Sequence, residues 1–240
     1  MLRAMFLSTV FAVGVVGAAR AAVVGTSSGT FNDLGQGNSC DGEYCAITNG
    51  RTQVRWGSDS IFSNNRNPST LTANPTSINL PTNAGTGVLG QLTWFNNDTL
   101  ASQTPDSFAV DWLLSIAFTQ PNASSDSEEF DLTITNTPNN PADNIVGLTL
   151  TDLNNLSFTL NGVTISNLRY AVADVSGPGG TSLQNVTGGV RWVNDEGNTA
   201  RLQILADFTP TAVPAPASLA LFGAGLFGLG FARRRRGQQA

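Results

Sequence analysis

Apolar residues return at every second position through the middle of this chain, and a two-residue period is the pattern of a strand with one face buried. Trp112, Leu114, Ile116 and Phe118 share one run, and Phe130, Leu132 and Ile134 share another. Leu156, Phe158 and Leu160 lead into Asn161-Gly162, a hairpin dipeptide that tolerates positive φ, and Val163 and Ile165 continue beyond it. Val190-Arg191-Trp192-Val193 enters the turn Asn194-Asp195-Glu196-Gly197-Asn198, and Ala200, Leu202, Ile204, Ala206 and Phe208 return on one face. Clusters such as Pro138-Asn139-Asn140-Pro141 and Gly177-Pro178-Gly179-Gly180 punctuate the runs. No long helical stripe interrupts them. Alternation with one polar face means antiparallel sheets open to water on one side. About eight to ten strands in such a length suit an all-β, antiparallel two-sheet sandwich or jelly roll. A β-barrel is the second choice, and a parallel solenoid the third, because no internal repeat is present.

This body, residues 22–212, lies between two apolar ends. Arg3 supplies a positive n-region, Met5 to Ala18 an apolar run, and Ala19-Arg20-Ala21 the small-x-small pattern of a signal peptidase site. Residues 1–21 therefore read as a signal peptide cleaved after Ala21, which makes the Sec translocon and signal peptidase the first partners. At the other end, Val213-Pro214-Ala215-Pro216-Ala217 is a stiff linker, Ser218 to Ala232 is uncharged, and Arg233, Arg234, Arg235 and Arg236 follow. A helix over roughly 216–232 rises about 1.5 Å per residue and, with snorkelling arginines, approaches a ~30 Å hydrocarbon core. Four arginines hold their flank in the cytoplasm and leave the body outside the inner membrane. Residues 237–240 form a short tail.

This layout resembles the PEP-CTERM sorting signal of exopolysaccharide-producing Gram-negative bacteria: a Val-Pro-Glu-Pro-like motif, a Gly/Leu-rich membrane segment and an arginine cluster. Val213, Pro214, Pro216, Ala217 and Ser218 fit the pattern, while Ala215 stands in place of the usual Glu. The resemblance implies an exosortase-like processing enzyme as partner, a transient single-pass stay in the inner membrane, and delivery to the cell surface or matrix. Within the tail, Gly223 to Gly228 spells G-x-G-x-x-G, but no βαβ unit surrounds it and no acid follows, so it reads as small-residue helix packing.

The chain has no His and no Lys, which removes Ser-His-Asp and Cys-His catalysis, His-ligated zinc and lysine Schiff bases. Of its 12 arginines, 6 belong to the body, against all 17 acids, a net −11 that repels nucleic acid. Cys40 and Cys45 are the only cysteines, and export makes them a disulfide.

Three kinds of site deserve weighing. A carboxylate pair could come from Asp111, Glu128, Glu129, Asp131, Asp152, Asp195 and Glu196, but nothing sets two at catalytic spacing, so the chain is read as no enzyme. Asp111, beside Trp112, is expected to be partly buried and paired with Arg55 or Arg191. Structural calcium has weak candidates in Asp41 and Glu43, in Asp152 with Asn154 and Asn155, and in Asp195 with Asn194 and Asn198; otherwise no cofactor is expected. Sugar stacking would need exposed aromatics: Trp112 is in phase with the core, whereas Trp192, near a hairpin end, and Trp56, before Gly57, are the candidate platforms, with core or edge packing the favoured reading for each.

Val54-Arg55-Trp56-Gly57, Leu89 to Asn96, Phe130 to Asn139 with Ala142-Asp143, and Glu196 to Ala200 also resemble, in order, motifs of the choice-of-anchor K domain. That resemblance implies surface display and assigns no active site. The expectation is an exported structural or adhesive protein of the envelope or exopolysaccharide matrix. The alternative is a secreted carbohydrate-binding or glycan-active protein.

Overall fold

A computed structural model describes residues 21–32, 40, 44–57, 68–82, 85–99, 106–137, 142–187 and 189–210. The alternating runs form β1 (Val23–Asn32), β2 (Cys45–Thr48), β3 (Gln53–Trp56), β4 (Ser69–Ala73), β5 (Thr76–Leu80), β6 (Gly85–Phe95) and β7 (Ser107–Gln120). They continue as β8 (Ser124–Thr135), β9 (Ala142–Leu148), β10 (Val163–Ser176), β11 (Thr181–Val186), β12 (Gly189–Asp195) and β13 (Thr199–Pro210). Seven strands make one sheet in the order β11-β12-β9-β8-β7-β1-β5, and six make the other, β10-β13-β6-β4-β3-β2. Every pairing is antiparallel. The expected all-β class and two-sheet sandwich are present. The strand count exceeds the expectation because short strands such as β2 and β3 carry too few residues to show a period.

The core lies between the sheets, where the in-phase residues meet. Trp112, Leu114 and Ile116 of β7 and Phe130, Leu132 and Ile134 of β8 are all within 1% of full burial, as are Leu202, Ile204 and Phe208 of β13. Trp94 is packed among other aromatics, 5.2 Å from Trp192, 6.4 Å from Trp56, and Trp56 in turn is 5.4 Å from Phe108. Gly29 lets the Trp112 indole lie against β1, since a Cβ there would overlap the ring nitrogen.

Two local expectations change. Leu156 to Leu160 is not a strand; the residues before it form a short helix, α1 (Leu150–Asn155), whose start is capped by Thr149 Oγ1 accepting from Asp152 N at 2.9 Å. The Asn161-Gly162 turn does form, with Gly162 at φ 80°, but it delivers the chain to β10 in the six-stranded sheet, so α1 and its turn carry the chain between sheets. Likewise β12 and β13 are joined by a turn without pairing: β12 belongs to one sheet and β13 to the other. Alternation alone is the same for a hairpin and for a sheet-to-sheet crossing.

Cys40 and Cys45 form the expected disulfide, with Cα atoms 4.9 Å apart, and Cys45 stands opposite Trp56 in register. So short a loop constrains the unfolded chain by about 2 kcal/mol on the entropy model. Reduction should therefore lower the melting temperature by about 4–8 °C for a domain of this size. Thermal scans with and without reductant would show it, and coincident curves would mean that the bridge adds no stability.

Candidate functional site

The two outer faces of the sandwich differ. On the six-stranded sheet the polar side chains bond to one another. Thr48 Oγ1 donates to Gln53 Oε1 at 3.3 Å, Gln53 Nε2 to Thr72 Oγ1 at 3.1 Å, Asn74 Nδ2 to Thr93 Oγ1 at 2.7 Å and Gln203 Nε2 to Gln91 Oε1 at 3.2 Å. Arg169 pairs with Asp207 at 3.1 Å and Arg201 with Asp174. Asn167, Thr86 and Arg169 together hold the exposed Asp207 carboxyl below the usual carboxylate range.

The seven-stranded sheet instead leaves an open groove of about 650 Å³ over β1, β7 and β8. Register sets its floor: Ser28 stands opposite Ser115 and Thr26 opposite Ala117, while on the next strand Ser127 faces Ser115 and Ser125 faces Ala117. All six side chains are small, and they share the outward phase of strands whose inward phase is the core. Asp126 at the rim is already engaged, its two oxygens accepting from Ser127 N at 2.9 Å and Ser157 N at 2.6 Å. The hydroxyls of Ser28, Ser115, Ser125 and Ser127 bond to no other described side chain. Such a surface can offer donors and acceptors to a polyhydroxylated chain lying along it.

Further along the same three strands, Asp111 and Asp131 are direct register partners, with Asn32 on the other side of Asp111. Glu129 joins them, and one oxygen from each of the three lies within 4.8 Å of the others. Among the described residues this is the one grouping of three that could hold a metal ion. Three of the seven carboxylates considered from sequence are thus brought together. The rest are not. Glu128 accepts from Asn155 Nδ2 at 3.3 Å, Asp152 lies in the first turn of α1, and Asp195 Oδ2 accepts from Gly180 N at 2.5 Å. Burial, and then the Asp152 charge, push the Tyr170 hydroxyl up out of its ordinary range.

Several expected sites are corrected. Asp111 is buried; Arg55 is on the other sheet, and Arg191 on β12 stands three strands away from β7, about 14 Å. Trp56 and Trp192 are not platforms, since all four tryptophans are 0–1% exposed. The Trp192 ring enters the core and its Nε1 donates to Thr181 Oγ1 at 3.1 Å. Of the calcium candidates, Asp195 and Asn198 cap backbone instead: Asn198 Oδ1 accepts from Gly179 N at 2.9 Å and its Nδ2 donates to Gly180 O at 3.0 Å. Asp41 and Glu43 lie outside the described residues, as do Ala19, Val213 to Pro216 and the arginine cluster. No helix among the described residues is long and apolar enough to cross a membrane, and the segment expected to do so, 216–232, lies outside them.

A polar cluster at one end of the sandwich was not foreseen. Asn96, Asn136, Asp143, Asn194 and Asn198 are all 0–3% exposed. Asn96 Nδ2 donates to Asn194 O at 2.8 Å and so ties the sheets together, Trp56 Nε1 donates to Asn136 Oδ1 at 3.3 Å, and Thr137 N donates to Asp143 Oδ1 at 2.6 Å. In sequence Asn194 and Asn198 stand as calcium candidates and the others fall in separate motifs, with nothing to mark the five as one cluster.

The body's geometry names no activity, and the chain matches no curated protein. Residues 212–236 match the model of the PEP-CTERM protein-sorting motif. That span contains the Val-Pro-Ala-Pro linker, the apolar stretch and the four arginines, so the chain is an exported, surface-directed protein sorted by an exosortase-type enzyme.

Proposed function

We propose that the protein is a structural or adhesive component of the cell surface or exopolysaccharide matrix of a Gram-negative bacterium, holding matrix polysaccharide along the open face of its seven-stranded sheet. The sorting motif carries this reading, because it marks the body for export towards the cell surface. The hydroxyl-lined groove supports it. So does the resemblance of the body to choice-of-anchor K domains. In this reading signal peptidase removes residues 1–21, the tail spans the inner membrane until it is processed, and no cofactor is used. A glycan-active enzyme is the second reading, favoured by the Asp111, Glu129 and Asp131 carboxylates on the same face. The three face one another, which suits holding charge better than flanking a scissile bond.

Titration calorimetry with the host's matrix polysaccharide, followed by an assay for new reducing ends, separates these readings. Binding without new reducing ends is expected. Ser115→Arg, which fills the middle of the groove, should weaken binding by about tenfold or more, the equivalent of one lost good contact. Release of reducing ends would replace the adhesive reading with the enzymatic one. Unchanged affinity in the Ser115 variant would move the binding surface elsewhere.

A further inference from the structure

Two oxygens in the buried polar cluster lack a donor. Asp143 on β9 and Asn194 on β12 are direct register partners, 1% and 0% exposed. Opposed side chains on one face of an antiparallel pair stand about 4.5–5.5 Å apart at Cβ, so their terminal atoms are within reach of one another. Asp143 Oδ1 accepts from Thr137 N at 2.6 Å and from Thr137 Oγ1 at 2.8 Å, which leaves Oδ2 with no partner. Asn194 Nδ2 points at the carbonyls of Trp94, at 3.5 Å, and Asn198, at 3.3 Å, which leaves its Oδ1 with no partner. Turning the amide over would set Oδ1 against both carbonyls, so its orientation is held by the network. An ionised Asp143 would leave two bare acceptors in a desolvated site, each at a cost.

We propose that folding holds Asp143 as the neutral acid, its Oδ2–H donating to Asn194 Oδ1 and latching β9 to β12. One proton turns two unsatisfied acceptors into one hydrogen bond. A calcium ion fits less well, since it takes six to eight oxygens and about two stand ready here.

The charged groups around the pair do not replace the proton. β6 carries none, and Asp98 follows it; β8 carries Asp126, Glu128, Glu129 and Asp131; β7 carries Asp111, and Asp106 precedes it. β12 carries Arg191 and Asp195 with Glu196 next, β3 carries Arg55, and β13 carries Arg201 and Asp207. The three arginines alternate with fully buried neighbours, so their side chains leave by the outer faces. Burial accordingly raises the Asp143 carboxyl above its ordinary value, against the opposing pull of the Thr137 hydrogen bonds and of the neighbouring Asn96 amide, whose Nδ2 donates at 2.8 Å to Asn194 O.

A carboxyl raised by folding stabilises fully below its unfolded value, near 3.9, and that stability is lost as pH rises through the folded value. Thermal unfolding of the full-length chain in detergent, from about pH 4 to pH 8, tests this with Asp143→Asn and Asp143→Ala. The Asn variant carries a permanent donor where the acid carries its proton. It should match the natural chain at the acid end and exceed it as pH rises, the gap opening by up to about 3–5 °C per pH unit for one proton. The Ala variant should melt below the Asn variant throughout. A gap that stays constant, an Asn variant that falls behind as pH rises, or one that fails to fold would overturn the proposal.

Discussion

A chain carrying Pro214→Ala and Pro216→Ala is expected to keep its tail and stay with the membrane fraction, while the natural chain loses both ends and reaches the surface. Proline fixes φ and biases the residue before it to extended backbone, and two prolines fall within the four residues Val213 to Pro216 of the sorting motif. A processing enzyme that reads an extended segment gains from this pre-ordering. Two alanines would remove that bias, and the surface-delivered fraction should fall by about tenfold or more. Intact mass with fractionation reads the outcome directly. Ala215→Glu, which restores the usual acid of such motifs, should leave processing intact or faster. Loss of the tail from the double-proline variant would mean that the arginines and apolar segment alone direct sorting. Retention of the tail by the natural chain would make that tail a lasting anchor and place the body in the periplasm.

How much of this was legible in the sequence depends on range. The alternation of β7, β8 and β13 was plain because each run is long and holds several large buried inward residues, such as Trp112, Phe130 and Phe208. The sorting signal was plain because linker, apolar stretch and arginines adjoin one another. Which sheet a strand joins was not, as β12 and β13 show: their turn reads as a hairpin until Asn96, from β6's end, is seen accepting from Gly197 N at 2.8 Å and donating to Asn194 O. The carboxylate grouping was hidden for the same reason, since Asp111 meets Asp131 only through the β7–β8 register. Asp143 and Asn194 are 51 positions apart, and a one-residue slip in β9 or β12 would send one side chain to the opposite face. Trp56 and Trp192 are packed, the favoured reading for each, because the opposing sheet covers them: Phe108 lies against Trp56 and Trp94 against Trp192.

That burial makes the tryptophans a test of stability and of ligand mode together. Trp94→Ala is expected to cost about 3–5 kcal/mol, the range for emptying a large aromatic site, because Trp56 and Trp192 on either side cannot both close the cavity. In a domain of this size the melting temperature should fall by about 10 °C or more. Substitution by phenylalanine separates packing from hydrogen bonding. Trp94 Nε1 has no acceptor, so Trp94→Phe removes an unsatisfied donor along with part of the ring. Trp192 Nε1 donates to Thr181, so Trp192→Phe removes the same volume and strands the Thr181 side of a made bond. The Trp192 variant should therefore be the less stable of the two by about 1 kcal/mol. Both variants, while folded, should bind matrix polysaccharide as the natural chain does. Equal stabilities would discount the Thr181 bond, and a folded Trp192→Phe protein that lost polysaccharide would return that residue to the ligand surface.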